Sequence, residues 1–242
     1  MSEGSTFKNA FGQPVGAPLP DWSPRALPPR ALLEGRYCRV EPLDPPHHAE
    51  DLFDAFAQSD PANWTYLPDY MGPYASLPAW REWLDNAFAS DDPLWHVIVD
   101  QQTARAVGLA CYLRMDPRSG VIEVGGLNYS KALQRKPAAT EAMYLMMRRA
   151  FDELGYRRYE WKCDALNAPS RAAAERLGFT YEGIFRQHMV YRGRSRDSAW
   201  FSILDREWPK VRKALEDWLN LTNFDAQGRQ RAGLKQLRNP QD

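Results

Sequence analysis

The sequence predicts an α/β fold of the α+β kind, in which strands and helices share one domain. Segments with strand-like alternation are interspersed with amphipathic helical segments, and no linker separates one group from another. With 242 residues, 44% of them hydrophobic, the chain can bury one sizeable core. We therefore expect an arm over residues 1–35, a single domain over 36–220 and a tail over 221–242.

The bulk composition excludes several classes of partner. The 31 basic and 31 acidic residues balance, so no overall charge attracts nucleic acid or an anionic membrane. No stretch reaches the roughly 18 apolar residues of a membrane helix, and MSEGSTFKN lacks a basic-then-apolar signal. Cys38, Cys111 and Cys163 lie far apart in apolar surroundings, which favours buried thiols over a metal site. A reducing cytoplasm is the expected location.

The two ends of the chain differ from its middle. Six prolines in the first 30 residues forbid a helix and favour an extended arm. Phe11, Trp22 and Leu27 give this arm apolar surface to bury, so we expect it to lie on the domain or on a neighbouring subunit, as in a homodimer. At the other end, basic residues outnumber the two aspartates after Leu221, which predicts a mobile basic tail.

The elements of the domain follow from the spacing of apolar residues, at every second position in strands and every third or fourth in helices. The predicted strands cover residues 37–43, 94–100, 106–115, 121–130, 157–164, 180–191 and 195–204. The predicted helices cover residues 47–58, 77–89, 138–154 and 170–178. An aromatic loop over residues 60–74 separates the first two helices.

The stretch KALQRKPAATEAM, at residues 131–143, places basic residues at a predicted helix start. The first N–H groups of a helix have no acceptor within it, and they lie at the positive end of the helix dipole, so this loop is suited to an anion. Pro137 fits the first turn, because the N–H that it lacks would have been unpaired. Every helix has such an end, however, and the loop alone does not establish a phosphate site.

The ordered motifs resemble the GNAT superfamily of N-acetyltransferases, and most of all its ribosomal-protein acetyltransferase branch. The loop of the form Q-x-x-P-x-A, the segment NAPSRAAAERLGF and the closing run GFTYEGIFRQHMVYRGRSRDSAWFSILDREW carry the resemblance, with Asp197 and Trp208 at characteristic positions. It covers about residues 36–210. It implies a mixed, mostly antiparallel twisted sheet with a splayed central strand pair, flanked by helices.

The resemblance also implies acetyl-CoA as cofactor. In the family, amides of a Q/R-x-x-G-x-G/A loop hold the pyrophosphate of coenzyme A, and Asn167 would contact the pantetheine arm. The cofactor-binding residues implied here are Leu127, Gln134, Arg135, Lys136, Ala138, Ala139, Thr140, Asn167 and Ser170. Pro137 replaces the usual glycine and removes one donor. Ala174 occupies a position where other branches carry a tyrosine.

Acetyl transfer needs a neutral amine, donors for the oxyanion and a proton for the leaving thiolate. The resemblance places the oxyanion donors on the strand before the loop, where the Leu127 and Asn128 amides are candidates and Gly125-Gly126 would permit distortion. Glu123 is the candidate base, or alternatively a surface charge or an arginine partner. Ser170 would lie near the thioester sulfur, or is an ordinary residue of the helix start.

The acceptor is expected to be an amine-bearing small molecule or a peptide N-terminus. Deprotonating an α-amine at pH 7 costs about 1 kcal/mol, against about 4.6 kcal/mol for a lysine. Aromatic side chains of the loop would form the acceptor pocket, or else cap the core. These are Trp64, Tyr66, Tyr70 and Tyr74. Arginines of the 186–196 hairpin would recognise an acidic group, or are simply solvated.

Two other hypotheses stay open at this point. A non-catalytic acyl-CoA-binding or interaction module would explain why residues 137 and 174 depart from family patterns. A basic RNA-binding domain is less expected from the balanced charge, and it would bind in a strongly salt-dependent way.

Overall fold

The computed structural model describes residues 7–239, and its body is built on one eight-stranded sheet. The predictions for residues 1–6 and 240–242 lie outside the described residues. A separate short hairpin joins β1 (Phe7–Lys8) to β2 (Pro14–Val15).

The strands of the main sheet follow the alternating patterns of the sequence. They are β3 (Leu33–Glu34), β4 (Cys38–Pro42), β5 (Leu94–Asp100), β6 (Ala106–Asp116), β7 (Val121–Tyr129), β8 (Arg158–Asp164), β9 (Thr180–Tyr191) and β10 (Arg194–Leu204). Their order across the sheet is β3-β4-β5-β6-β7-β8-β10-β9. Every neighbouring pair is antiparallel except β7 and β8. The predicted fold class is confirmed.

The parallel pair at the centre of the sheet diverges along its length. Its ladder runs from Val121, opposite Arg158, to Val124, opposite Trp161. Beyond that point β7 and β8 continue without pairing to each other. The predicted splayed strand pair is therefore present, and it opens a gap in the middle of the sheet.

Helices cover both faces of the sheet. They are α1 (Pro45–Ala57), α2 (Leu77–Phe88), α3 (Pro137–Arg148), α4 (Ala168–Leu177), α5 (Trp208–Leu219) and α6 (Leu234–Arg238). The predicted helix over residues 138–154 is thus found as α3 followed by a π-helical turn, Arg149–Glu153. Helix α4 begins earlier than predicted, because the Asn167 side chain accepts the Ser170 N–H at 3.1 Å and caps it.

Two cores lie on opposite faces of the sheet. In β5, Val97 packs into the core formed with α1 and α2, while the next residue, Ile98, packs into the core formed with α3 and α5. Successive side chains of a strand point to opposite faces, so one strand serves both cores. Burying both faces explains why residues 94–99 of β5 are apolar apart from His96.

The inner half of the arm is docked on the domain. Trp22 Nε1 donates to the Arg118 carbonyl at 2.7 Å, and the Tyr156 hydroxyl donates to the Ala26 carbonyl at 3.1 Å. The outer hairpin is different, since 88% of Phe11 is exposed. Contact between that hairpin and a neighbouring subunit stays a prediction.

The carboxy-terminal tail corrects the sequence-based expectation, since residues 221–239 pack on the domain. Leu234 is only 2% exposed in the core. The Asn223 amide donates to the Trp218 carbonyl at 3.1 Å, and Arg238 donates to two carbonyls at the end of α4. The prediction of mobility rested on the polar composition of the tail. A few of its apolar residues, such as Leu234, are nevertheless buried in the core.

Candidate active site

A cavity of about 420 Å³ occupies the gap between the diverging strands. Residues 123–127 of β7 and 161–164 of β8 line its two sides. The loop over 66–71 and the hairpin segment 189–191 also border it. The cavity therefore exists because the central pair stops pairing after Val124.

Glu123 lines this cavity, and its side chain is only 3% exposed. Its Oε1 accepts a hydrogen bond from Arg114 Nη1 at 2.8 Å. Lys162 Nζ lies 2.8 Å from Oε2, an ion pair that falls outside hydrogen-bond geometry. Burial raises the pKa of Glu123, while Lys162 and then Arg114 oppose that rise. The alternative of an arginine partner is thus realised and that of a surface charge is not, while the role of general base stays a prediction.

Lys162 was missed by sequence reasoning. Its side chain is 6% exposed, and Nζ lies 2.8 Å from Glu160 Oε2 and 3.7 Å from the centroid of the Trp200 ring. Arg158 joins Glu160 to Glu182, so the charges alternate across the sheet. The sequence RRYEWKCD could have indicated this network, because it places charged residues at every second position of a central strand. Such buried charges require partners of opposite sign.

The backbone of β7 is distorted beside the cavity. Cys111 lies opposite Gly125 and Leu109 opposite Asn128, so two residues of β7 face one residue of β6 in a β-bulge. The positive φ of Gly126, 59°, belongs to this bulge. Because β8 no longer pairs here, amides of the bulge have no partner strand on that side.

Of the two candidate oxyanion donors, only Leu127 lines the cavity. Asn128 is 3% exposed and lies opposite Leu109 in the ladder with β6. Its side-chain Nδ2 has no partner among the described residues. The expectation that Asn128 shares this role is corrected, because its strand neighbour keeps it away from the cavity.

Asn167 and Ser170 both line the cavity at the start of α4. Trp161 Nε1 donates to Ser170 Oγ at 3.0 Å, which fixes the hydroxyl and leaves its own O–H available. Burial raises the pKa of the neighbouring Cys163 thiol, and the nearby Ser170 hydroxyl opposes that rise. Ser170 belongs to the helix start and lines the cavity, so the two alternatives are compatible.

The loop before α3 holds the remaining cofactor candidates, and none of residues 134–140 lines the cavity. Gln134 and Arg135 shape the loop: Gln134 Nε2 donates to the Tyr129 carbonyl at 2.8 Å, and Arg135 has a φ of 58°. The Ala139 N–H donates to the Lys136 carbonyl at 3.1 Å, so that amide is engaged.

The start of α3 retains backbone donors for an anion, the N–H groups of Ala138 and Thr140. Pro137 is its first residue and has no N–H, while Ala138 occupies the second position, where a helix offers no acceptor. The Thr140 side chain is 4% exposed and its hydroxyl accepts from Arg176 at 3.0 Å, while the use of its backbone N–H for the pyrophosphate stays a prediction. Arg135 and Lys136 remain exposed beside this end, and the donor set suits a pyrophosphate.

The aromatic loop divides between the cavity and the core. Tyr66 and Tyr70 line the cavity. Trp64 instead packs edge-on against Phe56 in the core, and Tyr74 packs against the indole of Trp80. The expectation that Trp64 and Tyr74 line the acceptor site is therefore corrected, since neither lines the cavity, while an acceptor role for Tyr66 and Tyr70 stays a prediction.

Arg192 fastens this loop to the β9–β10 hairpin. Its Nε donates to the Leu67 carbonyl at 2.8 Å, and its Nη2 donates to the Gly72 carbonyl at 2.6 Å. Its backbone N–H donates to the Asp69 carboxylate at 3.1 Å. Arg192 was expected to contact the acceptor or to be solvated. It instead binds the loop that borders the cavity.

Among residues 7–239, no histidine lines the cavity. His96 is fully buried outside the cavity, and burial lowers its pKa to about 4, so it is neutral at pH 7. Within residues 7–239, no group of three or more His, Cys, Asp or Glu side chains could hold a metal ion. None of the helices in the described part of the chain has the length and apolar composition needed to cross a bilayer.

Comparison with known proteins gives a consistent family. The model of the Acetyltransferase (GNAT) domain matches residues 39–180. The crystal structure of a GCN5-related N-acetyltransferase from Brucella melitensis is 47% identical, with a TM-score of 0.87, and the match covers 91% of this chain and 99% of that one.

Two curated relatives match shorter regions. An uncharacterized N-acetyltransferase, p20, from Bacillus licheniformis is 29% identical over 46% of this chain. A putative ribosomal N-acetyltransferase, YdaF, from Bacillus subtilis (strain 168) is 34% identical over 33% of this chain. The matches span 62% and 43% of the lengths of these two relatives.

Proposed function

Because the chain belongs to the GNAT acetyltransferase family, we propose that it transfers an acetyl group from acetyl-CoA to a primary amine by direct attack. One observation carries the proposal: the cavity between the diverging strands is lined by both Glu123 and Ser170, from β7 and α4. A buried carboxylate and a hydroxyl thus border one space.

Glu123 has the role of general base. A carboxylate whose pKa is raised by burial accepts a proton more readily than an ordinary one, and its two cationic neighbours favour the ionised form. The acceptor amine would lose its proton to Oε1 or Oε2. An α-amine asks least of this base, because its deprotonation at pH 7 costs only about 1 kcal/mol.

Residues of this chain also fit acetyl-CoA. The Ala138 N–H, with Arg135 and Lys136 beside it, would hold the pyrophosphate, and Asn167 would contact the pantetheine arm. When bound, acetyl-CoA supplies the acetyl group as an activated thioester. The Leu127 amide would donate to the oxyanion at the bulge, and the Ser170 O–H would donate a hydrogen bond to the departing thiolate, whose release follows transfer of the amine proton to Glu123.

The structure weakens the argument for a non-catalytic module. Pro137 is the first residue of α3, where the missing N–H had no helical acceptor to lose. Ala174 is fully buried in the core, and Ser170 offers a hydroxyl in the cavity instead. We also propose a reducing compartment such as the cytoplasm, in keeping with the buried free thiols of Cys38, Cys111 and Cys163.

The first test is thermal unfolding of the full chain with acetyl-CoA, using adenosine diphosphate as control. A ligand at 100 times its dissociation constant stabilises the folded state by about 2.7 kcal/mol. We expect a larger shift with acetyl-CoA than with the diphosphate. No shift with millimolar acetyl-CoA would remove the proposed cofactor site.

The second test is turnover on a panel of amines and short peptides. Glu123→Gln and Ser170→Ala should each lower kcat, by about 100-fold or more for the base, while acetyl-CoA binding persists. Bound acetyl-CoA that stays intact against every amine would favour the non-catalytic module. Unchanged kcat in both variants would refute the two role assignments.

A further inference from the structure

Arg196 is the cavity-lining cation that has no carboxylate partner. Of the others, Arg114 pairs with Glu123, and Lys162 pairs with Glu123 and Glu160. Among the described residues, no carboxylate oxygen lies within 4.0 Å of the Arg196 guanidinium. A half-buried cation that lines a cavity and has no carboxylate partner is suited to an anionic ligand.

The guanidinium of Arg196 is fixed in place. Its Nε donates to Ser198 Oγ at 3.0 Å, and its Cζ lies 5.8 Å from the centroid of the Tyr191 ring. The Tyr191 ring is in turn held by its hydroxyl, which donates to Asp164 Oδ2 at 2.8 Å. These contacts leave the two terminal amino groups of Arg196 without an acceptor in residues 7–239. Such a fork can hold a carboxylate through two parallel hydrogen bonds.

Two acidic residues near Arg196 in the cavity and the sequence, Asp164 and Asp197, form no ion pair with the Arg196 guanidinium. Asp164 already accepts the Leu166 N–H and the Tyr191 hydroxyl, both at 2.8 Å. Asp197 accepts the Gln187 N–H at 2.7 Å. The pyrophosphate of coenzyme A is also an unsuitable partner, because the loop proposed to hold it does not line this cavity.

We propose that Arg196 binds a carboxylate of the acceptor, so that the acceptors of this protein are small primary amines that also carry a carboxylate. The inference rests on the proposed function, since it names the substrate class of the same cavity. The amine lies toward Glu123 and the carboxylate toward Arg196, and the volume of about 420 Å³ admits a compact molecule. A polyamine is disfavoured, because it would place a second cation against the guanidinium.

The test compares matched acceptors that differ only in charge. Each free amino acid is assayed beside its carboxamide, and a short peptide with an acidic second residue is assayed beside the same peptide with the amide side chain. We expect the wild-type protein to prefer the carboxylate member of each effective pair. The two series separate a free amino acid from a peptide N-terminus as the source of the carboxylate.

Three variants locate the effect. Arg196→Ala should raise KM for the carboxylate-bearing amine about 10- to 150-fold, the range for a hydrogen bond to a charged group. Its kcat and its KM for acetyl-CoA should change little, and Arg196→Lys should restore part of the loss. Arg194→Ala is the matched control, because Arg194 is exposed on the same strand and does not line the cavity.

Failure of this inference differs from failure of the proposed function. The assignment of Arg196 would be overturned if the acid and the amide had equal KM values. It would also be overturned if Arg196→Ala bound acetyl-CoA more weakly and kept the same amine preference. Thermal unfolding with the same amines measures binding without turnover. Stabilisation by the acid alone, with no acetyl transfer, would support the carboxylate site while the proposed function fails.

Discussion

The pKa of Glu123 depends on two opposing effects. Burial raises it above the ordinary value of 4.5, and the cations Lys162 and Arg114 lower it. A general base works only when ionised, so kcat/KM rises with pH through this pKa. We expect the rising limb of the profile at a pH above 4.5, and Glu123→Gln should abolish it.

Removing Lys162 gives a sharper prediction about the same group. Lys162 is the larger of the influences that lower the Glu123 pKa, so Lys162→Met should move the rising limb of kcat/KM to higher pH. The variant should also cost about 3 kcal/mol of stability, because it removes the cation that lies between two buried carboxylates and leaves each of them with a single arginine partner. Lys213→Met, at an exposed position, is the control. A limb that does not move would show that Glu123 is not the titrating base.

Residue chemistry was only partly predictable from the sequence. Glu123 and Ser170 could be singled out because the family resemblance marks the strand before the loop and the start of the next helix. Their partners could not, since Lys162 and Arg114 reach Glu123 through strand order, which no local pattern fixes. The division of the aromatic loop between Trp64 and Tyr70 likewise depends on irregular backbone.

At the scale of elements, the bulge in β7 depends on Gly126. Its φ is 59°, a left-handed conformation that favours glycine, and an added Cβ would overlap the Trp95 indole and lie 2.9 Å from Cys111 Sγ. Gly126→Ala should therefore flatten or shift the bulge, cost about 1–3 kcal/mol for the backbone alone, and lower kcat by displacing the Leu127 amide. Chemical denaturation and steady-state kinetics would measure the two effects.

Gly125→Ala is the matched control for that prediction. An added Cβ there meets chiefly the Leu113 Cδ2 atom at 2.9 Å, the end of a side chain that can rotate, and Gly125 does not have a positive φ. We expect a smaller loss of stability and of kcat than for Gly126→Ala. Equal losses in the two variants would mean that the positive φ of the bulge is unimportant.

The elements themselves were mostly predictable, because alternation and helical spacing mark β5 to β10 and α1 to α4. Helix α5 was not predicted, although Trp208, Val211, Leu215 and Trp218 repeat at helical spacing and are buried. The order of the strands was not predicted, and the splay of β7 from β8 came from the family resemblance. Contacts between distant segments set both features, and periodicity alone carries no information about them.

At the scale of the whole molecule, the tail closes the core beneath α5 and α6. Leu234 is 2% exposed, and Leu234→Ala should cost about 2–5 kcal/mol through lost burial and the cavity left behind. The exposed neighbour provides the comparison, since Lys235→Ala should change the free energy of unfolding by less than about 0.5 kcal/mol. If Leu234→Ala left the free energy of unfolding nearly unchanged, the tail would not be packed on the core, and the prediction of a mobile tail would be supported.

The arm is the other long-range attachment, and Trp22 anchors it. Its ring lies against Gly120, where an added Cβ would overlap the indole, and the Arg25 guanidinium lies 4.4 Å from the ring centroid. Trp22→Ala should release the arm from the Arg118 carbonyl and expose the bond after Arg25 to trypsin.

Faster cleavage at that bond is the measurement, and Phe11→Ala is its control, because a ring that is 88% exposed contributes little to docking. Since the arm residues do not line the cavity, turnover by Trp22→Ala should stay close to wild type at low temperature. Equal cleavage in wild type and Trp22→Ala would mean that other contacts hold the arm, chiefly Arg149 with the Ala31 and Leu32 carbonyls. If Trp22→Ala both released the arm and lowered turnover, the docking of the arm would be coupled to the active site through the sheet.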